Sequence, residues 1–257
     1  MSIRPGSWRE QWRAWAEKDG RGYPDWLMRY GPVVRRLGPM ARNGACVVEI
    51  GANEAGLARF ANARTVVMDR AHDHLVAARD TQPVMPVQAD IARLPFAAGS
   101  VEVLICLDTF EHLPDSARQM AVSEITRCLA PSGRAVVSFP SGEAAMRAEE
   151  RVRRAYQALT GQPLRWLEEH IEQGLPDAEA LRADFEQAIG ASHTVSLRWN
   201  ANAAVWTWMW RVLMCNWPGR GNVIFQVLLR IAAPVLARCH FGQCYRAMLW
   251  LEPRVRP

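Results

Sequence analysis

From residue 45 onward, short apolar runs alternate with stretches of helical periodicity. Runs at 45–50, 64–69, 84–88, 101–107 and 134–139 read as strands, with helices near 54–62, 72–79 and 115–130 between them. Such runs suit strands covered on both faces, and the alternation predicts parallel strands joined by crossover helices. The chain is therefore expected to be α/β. Residues 1–44 read as an N-terminal helical cap. Ser7 is placed to cap a helix whose Trp8, Trp12 and Trp15 share one face. A second apolar segment runs Trp26, Leu27, Tyr30, Val33, Val34, Leu37, and a break is expected at Gly31-Pro32. This cap suits packing on the sheet, a lid over a ligand, or a surface for membrane or partner.

Past Pro140 the periodicity predicts helices over 143–159, 163–170 and 176–189, a sixth strand over 192–199 and a seventh over 244–251. Between those two strands Trp199, Trp206, Trp208, Trp210 and Trp217 crowd together, followed by Val223–Leu236, an apolar run interrupted only by Gln226 and Arg230. That run is too short to span a bilayer comfortably. It reads as an amphipathic pair lying on a membrane or cupping a lipid-like substrate, or as a cap closed on itself, or as a homodimer face. The expected organisation is a cap over 1–44 and a main domain over 45–257, with 141–191 and 200–243 as substrate-side helical insertions.

Composition narrows the classes. At 257 residues, 49% hydrophobic and 22% charged, the chain can bury a large core and is not a disordered one. Its net charge is +5, and Lys18 is its only lysine. The arginines are scattered, with no run longer than Arg35-Arg36 or Arg153-Arg154, which argues against a nucleic-acid stripe. The six cysteines form no C-x-x-C, so a zinc ribbon or redox pair is unsupported. Cys46 and Cys106 fall within strands as small core residues. A reducing cytoplasm fits this usage. The N-terminus, with Arg4, Arg9 and Glu10, is unlike a signal peptide, and no uncharged apolar stretch is long enough for a spanning helix.

Candidate chemistry sits where the strands end. In Val47-Val48-Glu49-Ile50-Gly51-Ala52-Asn53-Glu54-Ala55-Gly56 an apolar strand closes on an acid, then a glycine turn, then a helix. Ligands of open α/β sheets bind in that crevice. Gly51 and Gly56 suit a sharp turn and close backbone approach. The G-x-G-x-x-G of dinucleotide folds is missing, since Asn53 stands where glycine is usual. Asp69 lies about twenty residues beyond the loop, where a second strand places a carboxylate under a ribose. Reading on, Arg70 follows Asp69, Asp90 and Ile91 follow the third strand, and Leu107, Asp108, Glu111 and His112 mark the end of the fourth. An acid thus recurs at four strand ends.

These residues carry a resemblance. Glu49-Ile50-Gly51 with Gly56, Asp69, Ala89-Asp90-Ile91-Ala92-Arg93-Leu94-Pro95-Phe96, Gly99-Ser100-Val101-Glu102-Val103, Phe110-Glu111-His112-Leu113 and Arg127-Cys128-Leu129-Ala130-Pro131-Ser132-Gly133-Arg134 follow in order. The stretch Val47–Pro140 resembles the class I S-adenosylmethionine-dependent methyltransferases of the type 11 subgroup. The resemblance implies a Rossmann-like, seven-stranded, mostly parallel sheet of order 3-2-1-4-5-7-6 with the last strand antiparallel. It implies S-adenosylmethionine as cofactor. Glu49 and the backbone from Gly51 through Asn53 to Gly56 would hold the methionine moiety, Asp69 both ribose hydroxyls, and Asp90 and Ile91 the adenine. Met68 and Arg70 would flank the adenine, and Leu107 and Asp108 would lie near the sulfonium. The middle of the loop departs from the pattern at Asn53.

For methyl transfer to a hydroxyl a general base helps. His112, just after the fourth strand, is the first candidate, with His170 and His193 behind it. No metal ligand is assigned, although Asp108-Thr109-Phe110-Glu111-His112 resembles the acid-x-x-Glu-His arrangement that some relatives use to hold a divalent cation. The ending Phe241-Gly242-Gln243-Cys244-Tyr245-Arg246 is similar to C-termini of type 11 enzymes associated with cell-surface polysaccharide assembly. That likeness fits a small or lipid/sugar-linked acceptor near a membrane. The expected place is the cytoplasm, peripheral at the inner membrane face, and the scattered arginines predict no nucleic-acid partner. Other readings stay open: a non-catalytic cofactor-binding or scaffold protein, for which Asn53 is the hint, or an RNA or protein methyltransferase. No Asn-Pro-Pro-Tyr-type motif follows the fourth strand, which disfavours methylation of base amino groups. A dehydrogenase lacks its glycine fingerprint.

Overall fold

The computed structural model describes residues 23–52, 56–57, 64–81, 84–215 and 223–254. Helix α1 spans Tyr23–Arg42, and strands β1 Val47–Ile50 and β2 Thr65–Asp69 follow. Next come α2 His72–Thr81, β3 Val84–Gln88, β4 Val101–Leu107, a 3₁₀ turn at Phe110–His112, α3 Asp115–Cys128 and β5 Leu129–Pro140. The last part holds α4 Gly142–Thr160, α5 Arg165–Gln173, α6 Ala178–Ile189, β6 His193–Asn202, α7 Ala203–Cys215, α8 Val223–Leu236 and β7 Cys244–Pro253. The expected Ser7 helix, the body of the 54–62 helix, Asn53 and Trp217 lie outside the described residues.

The strands form one seven-stranded sheet of order β3-β2-β1-β4-β5-β7-β6. β1 pairs in parallel with β2 and β4, β2 with β3, and β4 with β5. β7 runs antiparallel to both β5 and β6. The expected fold class is the one observed. Chain order reverses between β1 and β4, so their carboxyl ends open the crevice where such sheets take ligands.

Both faces of the sheet are covered, which explains the continuous apolar runs. Alternate residues serve opposite faces. Val47, Val103, Ile105 and Leu107 join Trp26, Tyr30, Val33 and Leu37 of α1 on one side. Val48, Leu104 and Cys106 join Ala121, Val122 and Ile125 of α3 and Phe185 of α6 on the other. Phe110 lies 6.2 Å from Phe139 and 6.1 Å from Phe185, ring centre to ring centre, all three fully buried. A further core joins α4, α5 and α7 through Ala145, Val152, Leu167, Trp206 and Met209, with Tyr245 of β7 and Met28 of α1. The edge strand β3 holds Pro86 in mid-strand, which an edge tolerates because one side of its ladder is unpaired.

Two expectations are corrected. Gly31-Pro32 does not break α1, which continues through Pro32 and Pro39 to Arg42. A proline frees the carbonyl four residues earlier, and Asn200 Nδ2 donates to that Met28 oxygen at 2.7 Å. β5 begins at Leu129 rather than 134, because Leu129 pairs with Val101 before a register shift brings Arg134 opposite Val103. The bulge takes up Pro131 and Gly133.

Removing the Phe185 ring should leave a cavity between α6 and the sheet. Phe185→Ala is expected to cost about 3–5 kcal/mol, seen as a lower midpoint in urea unfolding with unchanged slope.

Candidate active site

The crevice at the carboxyl ends of β1, β2 and β4 is roofed by α1. At the end of β1, buried Glu49 accepts from Tyr30 Oη at 2.6 Å and from the Leu57 amide at 2.9 and 3.1 Å. Trp26 Nε1 donates to the Gly56 carbonyl at 3.1 Å, so α1 also ties the far side of the glycine loop. The two glycines have physical reasons. Gly51 sits at φ +71, and a Cβ there would lie 2.3 Å from Thr109 Oγ1; a Cβ on Gly56 would lie 2.8 Å from Glu49 Oε2. The loop can pass this close to the strand ends only as glycine.

Burial dominates the Glu49 carboxyl and pushes its pKa up to about 7, against opposing contributions from Tyr30, the Leu57 amide and Arg29. A carboxyl of this kind, with no direct ion pair among the described residues, is poised to ionise when a cation arrives.

At the end of β2, Asp69 Oδ1 accepts from the Ala71 amide at 2.8 Å, and Oδ2 lies 3.2 Å from His74 Nδ1. These contacts fix the carboxylate at the start of α2, with Arg70 beside it exposed. Met68 is buried within the sheet core. At the end of β3, exposed Asp90 turns back on the Ala92 amide at 2.8 Å, and Ile91 is buried.

Asp108, after Leu107 of β4, is held differently. It has φ 53, a left-handed backbone that Asp tolerates better than most residues. Arg246 of β7 grips it with Nε at 2.8 Å and Nη2 at 2.6 Å, and Arg29 Nη1 reaches it at 3.4 Å. Although burial opposes ionisation, the two guanidiniums hold the Asp108 carboxyl below its usual range. Paired bidentate contacts of this kind are strong and directional.

The 3₁₀ turn then brings a second group together. Glu111 is 1% exposed, and its Oε2 has no hydrogen-bond partner. Burial and the neighbouring Asp108 charge push its carboxyl well above the usual range. His112 Nδ1 lies 2.9 Å from Glu169 Oε2 of α5. Its Nε2 faces His170 Nε2 at 3.4 Å, and His170 Nδ1 lies 2.9 Å from Glu149 Oε1 of α4. Tyr245 Oη donates to the same Glu149 oxygen at 2.8 Å, and the Tyr245 ring stacks on Trp206 at 3.8 Å. Burial and His170 push the His112 imidazole below its ordinary value, which favours a neutral ring at neutral pH.

The structure thus gathers Glu49, Gly51, Gly56, Leu107 and Asp108 under α1. Asp69 and Asp90 stand at the next two strand ends, and His112 meets His170. His193 is elsewhere, its Nε2 3.1 Å from the Gly133 carbonyl at the amino end of β5. Asp108 joins an ion-pair network rather than the His112 group. Four site residues escaped the sequence: Arg29, Tyr30, Glu149 and Arg246. One signal was present, because Arg246 is a charge inside a fully buried strand, and such a charge requires a partner.

Comparison with known proteins bears on the domain that carries this crevice. Residues 48–137 match the family model described as a methyltransferase domain. A Mycobacterium tuberculosis protein named as a probable S-adenosylmethionine-dependent methyltransferase is 32% identical over 120 residues, 45% of this chain and 43% of its own length. The chain therefore spans under half the length of the curated relatives it matches. A methyltransferase structure from Archaeoglobus fulgidus superposes over 96% of this chain and 100% of its own, with TM-score 0.54 and 12% identity. Haemonchus contortus phosphoethanolamine N-methyltransferase 2, solved with S-adenosylmethionine, covers 95% of this chain and 56% of its own, with TM-score 0.57 and 12% identity. Residues 48–137 thus match a methyltransferase domain, and the sheet around them has the fold of the methyltransferase structures on which it superposes.

The raised Glu49 carboxyl carries a sign for stability. The folded state binds its proton more tightly than the unfolded chain does, so stability should fall as pH rises between the ordinary carboxyl value of 4.5 and about 7. In Glu49→Gln this decline should be shallower, by up to about 1.4 kcal/mol per pH unit, in urea melts run across that window.

Proposed function

We propose that this chain transfers a methyl group from S-adenosylmethionine to a hydroxyl oxygen of a small or lipid/sugar-linked acceptor. The observation that carries this reading is the row of carboxylates at adjacent strand ends, Glu49, Asp69 and Asp90, beside the β1–β4 reversal of a methyltransferase domain. In this reading Asp69 accepts both ribose hydroxyls and Asp90 the adenine amino group, with Ile91, Met68 and Arg70 about the ring. Glu49 and the loop from Gly51 through Asn53 to Gly56 hold the methionine end, and Leu107 and Asp108 border the sulfonium. Trp26 and Tyr30 of α1 close over it and exclude water.

The acceptor oxygen attacks the methyl carbon as the carbon–sulfur bond breaks. S-adenosylhomocysteine leaves, and the hydroxyl proton passes to His112. Aligning acceptor and methyl supplies most of the acceleration, since the sulfonium is already reactive. What supports His112 is an imidazole whose pKa burial lowers and its place just after β4. One observation favours the non-catalytic alternative: Glu49 and Asp108 are already bonded by the protein's own groups. Incorporation of labelled methyl into a hydroxyl acceptor decides between the two.

The C-terminal insertion supports the reading of partners and location. Among the described residues no helix is long and apolar enough to cross a membrane. Leu228, Ile231 and Val235 of α8 are 56%, 65% and 65% exposed, at a spacing that puts them on one helical face. That face supports contact with the inner surface of a membrane, where a lipid-linked acceptor would lie, or with a second copy.

Asp69→Ala should raise the dissociation constant for S-adenosylmethionine by about 10²-fold or more, because a buried hydroxyl pair loses its acceptor. His112→Ala should leave that constant unchanged and lower kcat by about 10²-fold or more; unchanged turnover removes His112 as base. The protein should sediment with anionic vesicles, and Ile231→Asp should release it. A wild-type protein left wholly in the supernatant contradicts the membrane reading.

A further inference from the structure

We propose that Glu111, His112 and His170 form a binding site for one divalent first-row transition ion, with zinc the best geometric match. The site is assembled from two distant parts of the chain, the 3₁₀ turn after β4 and the helix α5.

The two imidazoles are prepared alike. Each has its Nδ1 against a carboxylate, Glu169 for His112 and Glu149 for His170, both at 2.9 Å. A carboxylate in that place draws the ring proton to Nδ1, fixes the ring and leaves a lone pair on Nε2. Glu149 is fixed in turn by Tyr245 Oη. The prepared Nε2 atoms face each other at 3.4 Å. Two lone pairs at that distance repel unless a proton or a metal cation lies between them. Two nitrogens each about 2.05 Å from a tetrahedral zinc are about 3.35 Å apart, whereas an octahedral edge would be about 3.0 Å.

Glu111 supplies the third donor and is the independent indication. Its carboxylate is buried with Oε2 unpartnered, an arrangement that costs free energy until a cation or proton fills it. One donor atom from each of the three residues lies within 4.8 Å of the others, so a modest carboxylate rotation closes the set. Asp108 is not a donor, because Arg246 occupies both of its oxygens. Two imidazoles and one carboxylate match zinc, iron or manganese better than calcium or magnesium, which prefer oxygen-only shells. Three protein donors leave a fourth position open for an oxygen ligand such as water or an acceptor hydroxyl. The inference deepens the proposed hydroxyl methylation and rests on it only for the ion's task. With the ion bound, the His112 lone pair would be engaged; the ion would then lower the pKa of the acceptor hydroxyl in place of the imidazole base, and the proton would pass to solvent water.

The test is titration of the metal-stripped full chain with Co²⁺, followed by displacement with Zn²⁺. One equivalent of Co²⁺ should bind with visible d–d bands of low-coordinate nitrogen and oxygen ligation and without a thiolate charge-transfer band. His170→Ala and, as a gentler variant, Glu111→Gln should each weaken binding by about 10²-fold or more, with circular dichroism unchanged for at least one of them. Absence of a bound equivalent, a thiolate band, or wild-type affinity in both variants would overturn the site. Titrating the same metal-free sample with S-adenosylmethionine separates the two readings: cofactor binding without cobalt binding removes the ion alone, and cobalt binding without cofactor binding removes the methyl-transfer reading alone.

Discussion

Arg246 is buried in the last strand of the sheet, and its guanidinium reaches Asp108 with two hydrogen bonds, at 2.8 and 2.6 Å. A charge so deep in an apolar strand is tolerable only when paired, and losing one partner of such a pair costs about 3–5 kcal/mol. The pair ties β7 to the end of β4 at the place where chain order reverses. Arg29 extends it to α1, where Arg29 Nε lies 3.1 Å from Asp25. Tyr30, next in that helix, holds Glu49 at the end of β1. Helix α1 and strand β7 are thus clamped to the carboxyl ends of the central strands by ionic and hydrogen bonds as well as by packing.

That clamp shapes the crevice. It fixes Asp108 in a left-handed backbone conformation that sends the chain directly into the Phe110–His112 turn. The turn buries Glu111 and aims His112 at His170. Behind His170 stand Glu149 and Tyr245, and Tyr245 is the neighbour of Arg246 in β7. One short piece of the last strand therefore supports both the strand-end carboxylates and the paired histidines. In the proposed reading, cofactor edge and acceptor side share a foundation, which is a physical reason for the two to act together.

The sheet was legible from the sequence because parallel strands buried on both faces read as continuous apolar runs, and the strand-end acids stood out against them. What remained hidden depends on distant partners. The α1 helix passes Pro32 because Asn200, 172 residues on, takes the freed Met28 carbonyl. Asp108 looked like an available ligand because its partner lies 138 residues away. The start of β5 was misplaced because a bulge hides inside a turn-like Pro-Ser-Gly stretch. His170 stood only as a lesser candidate base, because the packing of α5 on the 3₁₀ turn is what brings it to His112. Local pattern fixes elements and long-range pairing fixes chemistry, so the fold was far easier to read than the site.

The central claim is that this crevice binds S-adenosylmethionine and not a dinucleotide. Calorimetric titration of the wild-type protein with S-adenosylmethionine and, separately, with NADH tests it most directly. The account predicts binding of the first at micromolar concentration and none of the second. Binding of NADH, or of neither ligand, would contradict it.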